Sequence, residues 1–244
     1  MEIKTILWRE FTFFKRRFGK ITTAALMSPL LYLIAFGWGL GDGLVIEGHD
    51  YLSFIIPGLV AMTTMRQSFS SISMRVSVSR LHEKSFEYYL ISPTRMSLLT
   101  LGHVLAGALR GMYTGLIIVV IALIARIPLN LSFNFFIIMM LNSLMFASLG
   151  FFAAMIIDTH YDLNRFTTFV INPMSFLCGT FFSLRKLPYI LRIIIEAFPL
   201  THSVRAIRSL ALNNRVEYFS MLIMFLFTCA FYAMSVKACY KEAE

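Results

Sequence analysis

Charged side chains are scarce in this chain. They make up 14% of its 244 residues, against roughly 25% in soluble domains. With 58% hydrophobic residues and a mean hydropathy of +0.73, the chain reads as an integral membrane protein. No phosphate-cradling loop of the Walker type occurs, so the chain is not expected to hydrolyse nucleotide itself. No Ser-His-Asp set, HExxH motif or catalytic carboxylate pair stands out, which argues against an enzyme. Cysteines are few and unpatterned. Cys178, Cys229 and Cys239 lie in or beside apolar runs at no metal-ligand spacing, and an odd count without a motif argues against a disulfide framework or a zinc site. The histidines His49, His82, His103, His160 and His202 are scattered and read as surface or packing residues. The first long apolar run begins near Thr22 and shows no cleavage pattern, so no secretory signal is expected. The net charge of +9 lies beside apolar runs, as membrane orientation requires, and does not form the patch a nucleic acid would need.

What is present is a series of apolar runs joined by short connectors. Residues 1–21 place Ile3, Ile6, Leu7, Phe11 and Phe14 at helical spacing, with Lys4, Lys15, Arg16, Arg17 and Lys20 on a basic side. That pattern predicts an amphipathic cytosolic helix in the membrane interface with Trp8 at headgroup depth, or equally a plain basic flank that fixes topology. Six spans are expected, at about 22–41, 53–74, 99–125, 133–157, 166–184 and 217–236. Gly107, Gly111 and Gly115 in the third put small residues at four-residue spacing, which lets another helix approach closely. Between the fifth and sixth, residues 185–212 hold apolar segments too short to cross, and read as a re-entrant or interfacial helical hairpin on the outer side. The fold class expected is therefore all-α: six transmembrane helices, an N-terminal interfacial helix and that hairpin, with both termini cytoplasmic. The predicted inner side carries more basic residues than the outer one, as the positive-inside rule asks.

The longest break in this pattern is 75–98. There Arg75, Arg80, Lys84 and Arg95 surround Glu83 and Glu87 before Pro93 stops the segment. It reads either as a solvated loop or as a docking helix that passes force to something cytosolic. Arg66 and Arg110 fall inside expected spans, where an unpaired charge costs about 2.5–3.5 kcal/mol on insertion scales. They read as candidates for contact with an anionic cargo, or as snorkelling or structural hydrogen-bond donors. The expected spans contain no carboxylate away from their ends, which places the energy source outside the chain.

Several segments, in order along almost the whole chain, resemble the type-2 ABC exporter permeases. They are SPLLYLIAFGWGLG at 28–41, YLSFIIPGLVAM at 51–62, FEYYLISPTR at 86–95, LGHVLAGALRG at 101–111, and the stretch from Gly179 to Leu210. One departure is Lys84-Ser85, where relatives often carry Gly-Thr ahead of a hydrophobic-acidic pair, here Phe86-Glu87. The resemblance implies a permease subunit that exports an amphipathic, lipid-linked, polysaccharide or drug-like substrate across the inner (plasma) membrane. It implies two copies of a cytosolic ABC ATPase that bind the ATP and Mg, none being held by this chain, and a second copy of itself or a paralogous permease. By the same resemblance, 82–92 is the coupling helix, with His82, Glu83, Lys84, Phe86, Glu87 and Tyr88. Residues 1–21 become the gate helix, with Trp8, Lys15, Arg16 and Arg17, and Arg66 and Arg110 are the candidate path residues. Two other classes remain open: a membrane-embedded lipid-active enzyme, for which Asp158, His160 and Asp162 are the near candidates, and a non-transporting scaffold subunit.

Overall fold

The computed structural model describes residues 2–16, 18–35, 43–86, 88 and 95–243. The chain opens with α1 (Glu2–Arg16) and α2 (Phe18–Leu33). Two short strands follow, β1 (Val45–Ile46) and β2 (His49–Asp50), paired antiparallel with Val45 opposite Asp50. Then come α3 (Tyr51–Leu81), α4 (Met96–Ile124) and α5 (Phe133–Ile156). After α6 (His160–Phe166), a π-type turn over Thr167–Ile171 leads to α7 (Asn172–Leu177). The chain closes with α8 (Tyr189–Glu196), α9 (Pro199–Asn213) and α10 (Tyr218–Ala243).

Local signals set several boundaries. Thr159 caps α6 by accepting a hydrogen bond from the Asp162 amide at 3.0 Å, as N-cap threonines do. Pro199 sits in the first turn of α9, where its missing N–H costs nothing. Asn214 then ends that helix in the left-handed conformation, at φ 51°, a role asparagine shares with glycine.

The expectation of six transmembrane spans does not hold. Among the described residues, three helices are long and apolar enough to cross a membrane: Met96–Ile124, Phe133–Ile156 and Tyr218–Glu242. The other expected spans fall short for separate reasons. α2 has 16 residues, below the roughly 20 a crossing needs, and residues 36–41 of that expected span lie outside the described residues. The stretch 166–184 is divided between the end of α6, the π-type turn, α7 and a following turn. α3, at 31 residues, is long enough but carries Arg66, Gln67, Arg75, Arg80 and many serines.

α3 is instead the buried axis of the protein. Phe54, Leu59, Met62, Met65, Phe69 and Ile72 along it are almost wholly buried, packed mainly against α4 and α5. The glycine stripe explains how close this packing is. A Cβ at Gly107 would meet Ile72, one at Gly111 would meet Ser68, and one at Gly115 would meet Thr64, all on α3. From α5, a Cβ at Gly150 would lie 2.7 Å from the Phe69 carbonyl oxygen, a backbone atom that cannot rotate away. Polar groups fill the same seam. Asn142 donates to the Ala61 carbonyl at 3.0 Å and to Thr64 Oγ1 at 2.6 Å.

Replacing Gly150 with valine forces α3 and α5 apart. The expected result is a loss of about 1–3 kcal/mol of stability, read as a lower thermal midpoint and a lower yield of monodisperse protein in detergent. Retention of both at the wild-type level would show that the two helices do not approach this closely.

Candidate functional site

The site begins with a carboxylate. Glu10 on α1 is only 4% exposed. It accepts from Arg110 of α4 at 2.5 Å, lies 3.1 Å from Arg75 of α3, and lies 3.4 Å from its own neighbour Arg9. Apolar contacts accompany the charges. Ile6 is buried against Gly102, and the rings of Phe14 and Phe18 lie 5.0 Å and 5.7 Å from that of Tyr113. The N-terminal helix is thus seated on α4. Trp8, Lys15 and Arg16 remain exposed on it, and Arg17 lies outside the described residues.

Arg110 also lines a cavity of about 610 Å³. Gln67, Ser70, Ser71, Arg75 and Glu83 line it too, so this space runs between the third and fourth helices to the end of α3. Arg66 is not part of it. Its guanidinium donates to Asn172 Oδ1 at 3.1 Å, at the start of α7. The acidic partner of Arg110 was hidden from sequence reasoning because it comes from α1, a hundred positions away; a Glu in the middle of the apolar and basic residues of 1–21 was the available signal.

α3 ends at Leu81, and residues 82–86 form a turn rather than a continuing helix. Glu87 and residues 89–94 lie outside the described residues, so the helix expected over 82–92 is described only at its start. The turn is tightly held. The Phe86 amide donates to the Ser79 carbonyl at 3.2 Å, Ser79 and Ser85 share a hydrogen bond at 2.8 Å, and Phe86 is buried among Ile72, Val76, Leu99 and Phe151. His82, Glu83, Lys84 and Tyr88 are exposed. Lys84 takes φ 50°, a left-handed conformation that costs a non-glycine residue roughly 1–2 kcal/mol. With Ser85, it is where the sequence departs from the Gly-Thr pair that the resemblance leads one to expect.

The residues weighed for an enzyme are each occupied structurally. Asp158 pairs with Arg80 at 2.8 Å, and Arg80 also reaches Glu242 of α10 at 2.6 Å. His160 bridges Ser77 at 3.0 Å and His82 at 3.1 Å, while the Asp162 carboxylate accepts from the Thr159 hydroxyl at 2.7 Å and pairs with Arg165 at 3.2 Å. No cluster of metal-ligating side chains occurs among the described residues.

At the other end of α3 the α8–α9 pair is fixed by Glu196. One of its oxygens accepts from Arg205 at 2.8 Å and from Arg192 at 3.1 Å. Burial acts to raise the Glu196 carboxyl, but these arginines outweigh it and hold the group below its ordinary range. His202 lies beneath, 5% exposed, sharing a hydrogen bond between Nε2 and the Glu196 carbonyl at 3.0 Å. Burial pushes its imidazole below the ordinary value, against the opposing effect of that hydrogen bond.

Comparison with known proteins decides what this arrangement belongs to. The family described as ABC-2 type transporter matches residues 1–212. The chain belongs to that family. It is 26% identical over 227 residues to the inner membrane transport permease YadH of Escherichia coli (strain K12), covering 88% of this chain and 87% of that one. It is 29% identical over 195 residues to nodulation protein J of Rhizobium leguminosarum bv. trifolii, covering 78% of this chain and 74% of the relative. Nodulation protein J of Rhizobium meliloti (strain 1021) is 28% identical over 203 residues, with 81% and 76% covered. This ABC-2 chain is therefore a transporter permease and not itself an enzyme, a multi-pass protein of the inner membrane, and its family pairs with a cytosolic ABC ATPase.

Removing the Glu10 carboxylate (Glu10→Ala) leaves Arg110 buried without its anion. The expected cost is about 3–5 kcal/mol, seen as a fall in thermal stability, while Glu10→Ala with Arg110→Ala costs less than the two single changes added. Strict additivity would show that the pair is not coupled. Acid should loosen the α8–α9 pair. His202 and Glu196 both have lowered folded-state values, so the unfolded segment binds protons more readily, and stability rises with pH. His202's share is complete above about pH 6.5 and falls as the pH drops below it. Hydrogen exchange of α9 amides should quicken between pH 7.5 and pH 5.5, and less so in His202→Gln; an unchanged profile in the variant would remove His202 as the cause.

Proposed function

We propose that the chain is the membrane subunit of an ATP-driven exporter. Its cargo is an amphipathic molecule: a lipid-linked glycan, polysaccharide or drug-like compound moved from the cytoplasm or inner leaflet. The observation that carries this reading is the turn at the end of α3. It presents exposed His82, Glu83 and Lys84, is anchored by buried Phe86, and continues directly into the central helix. A push on such a turn moves α3 as a unit. Glu83 and Arg110 line one cavity, so the same motion changes the space beside Arg110.

On this reading, residues 82–92 dock into the ATPase, and two ATPase copies serve two permeases, either two copies of this chain or a paralogous pair. Residues 1–21 act as a gate helix against the inner leaflet, with Trp8, Lys15, Arg16 and Arg17 at the lipid boundary. Residues 22–244 form the membrane domain, in which 185–212 cap the path on the outer side. Three ion pairs support a shared cytosolic side for both ends: Glu10 meets Arg75, Glu242 meets Arg80, and Asp158 meets Arg80, all near the turn. The relatives named as permeases support transport; the three apolar helices carry no carboxylate away from their ends, which supports an external energy source.

The test is purification from the native membrane with its ATPase, followed by hydrolysis measurements. Reversing Glu83 and Glu87 to lysine should lower hydrolysis in the complex by about tenfold or more, as breaking charge pairs at an interface does. Full hydrolysis in a complex that still assembles would overturn the coupling role of this turn.

A further inference from the structure

A second cavity, of about 340 Å³, opens between the β1–β2 hairpin, the turn at 183–186 and the α8–α9 pair. That volume is at the small end of ligand pockets. Arg185 from the turn, Arg192 from α8, and Arg205 and Arg208 from α9 line it, together with Glu47 and Glu217.

The cations there outnumber the carboxylates that meet them. Arg192 and Arg205 share a single oxygen of Glu196. Arg185 stands 3.8 Å from Glu47, whose carboxylate already accepts the Ser183 hydroxyl. Arg208 meets no carboxylate at ion-pair distance among the described residues. Its Nε donates to the Phe54 carbonyl at 3.1 Å, and its Nη2 to Gly179 at 2.8 Å and Thr180 at 3.1 Å. Its guanidinium carbon is 3.7 Å above the Phe54 ring. Arg208 is thus a positive charge fixed in place by neutral groups, with Nη1 unused by the protein among the described residues.

Four guanidinium groups converging on one concavity suit a group with several anionic oxygens on one centre, since each fork can donate two parallel N–H bonds. We propose that this cavity binds a phosphate group. The face of α8 beside it exposes Tyr189, Ile190, Leu191, Ile193 and Ile194, the apolar side of a helix that suits a bilayer surface. The phosphate of a lipid headgroup is therefore the favoured source, and free phosphate is the other source of the same chemistry. The site stands apart from the ATPase-facing turn and does not rest on the exporter reading.

The experiment uses the full chain in a phosphate-free maltoside detergent, with chloride holding ionic strength constant. Dioctanoyl phosphatidylglycerol and inorganic phosphate are titrated separately, and the thermal midpoint is followed, which rises when a ligand binds the folded state. Saturable stabilisation by the lipid alone assigns the site to a headgroup; saturation by inorganic phosphate assigns it to free phosphate. Arg185→Gln, at a largely exposed position, and Arg205→Gln should each weaken binding by about tenfold. Glu196→Gln frees two guanidinium groups and should tighten it, the opposite of what a damaged fold would give. Absence of saturable stabilisation by either probe overturns the proposal. So does binding that is the same in wild type, Arg185→Gln and Glu196→Gln.

Discussion

The Glu10 carboxylate governs the arrangement of the rest. A guanidinium at position 110, on one of the most apolar helices of the chain, is costly without an anion. Glu10 supplies it at 2.5 Å and reaches Arg75 at 3.1 Å as well. Satisfying both arginines fixes where α1 lies, because one carboxylate must stand between α3 and α4. The apolar contacts of Ile6 with Gly102 and of Phe14 with Tyr113 then follow from that register. A helix with the composition of an interfacial anchor is thereby tied to the body of the protein.

α3 is the element that this clamp serves. At 31 residues it is about 45 Å long, and arginines secure both of its ends. Arg208 donates to the Phe54 carbonyl near the start, and Arg80 near the finish reaches Asp158 and Glu242. Between them, glycines on α4 and α5 bring the neighbouring backbones into contact with it. A helix packed this closely moves as a rod, since interiors at this density transmit displacement instead of absorbing it. This ABC-2 permease thus has a stiff connection between the exposed turn at 82–86 and the arginine-lined face of α8 and α9.

Charge in the molecule is concentrated at the two ends of that rod. Around the turn, Arg75, Arg80 and Arg110 each meet a carboxylate, and the resulting ion pairs join α1, α3, α4, the α5–α6 connection and α10. Around α8 and α9, arginines exceed the carboxylates that reach them and are steadied by backbone carbonyls. The first pattern holds elements together. The second leaves donors for something else.

Composition alone determined that this is a membrane protein, because so few charges cannot cover a water-exposed surface. Long apolar runs marked where α4, α5 and α10 lie, although α10 continues to Ala243, beyond the expected end at 236. The order of short segments from Ser28 to Leu210 pointed to the family, and the Gly107–Gly115 stripe announced a close helix neighbour. The number of spans was another matter. An apolar run says that side chains avoid water, but not whether lipid or another helix covers them. α3 looked like a span for that reason, although its serines and arginines are sheltered by α4 and α5. Pairing across distance was equally hidden. Glu10 and Arg110, His82 and His160, and Phe54 and Arg208 lie far apart along the chain, and no local spacing connects them. Only the tertiary structure brought them together, because the energy of burying a charge is settled by whichever partner the fold places beside it.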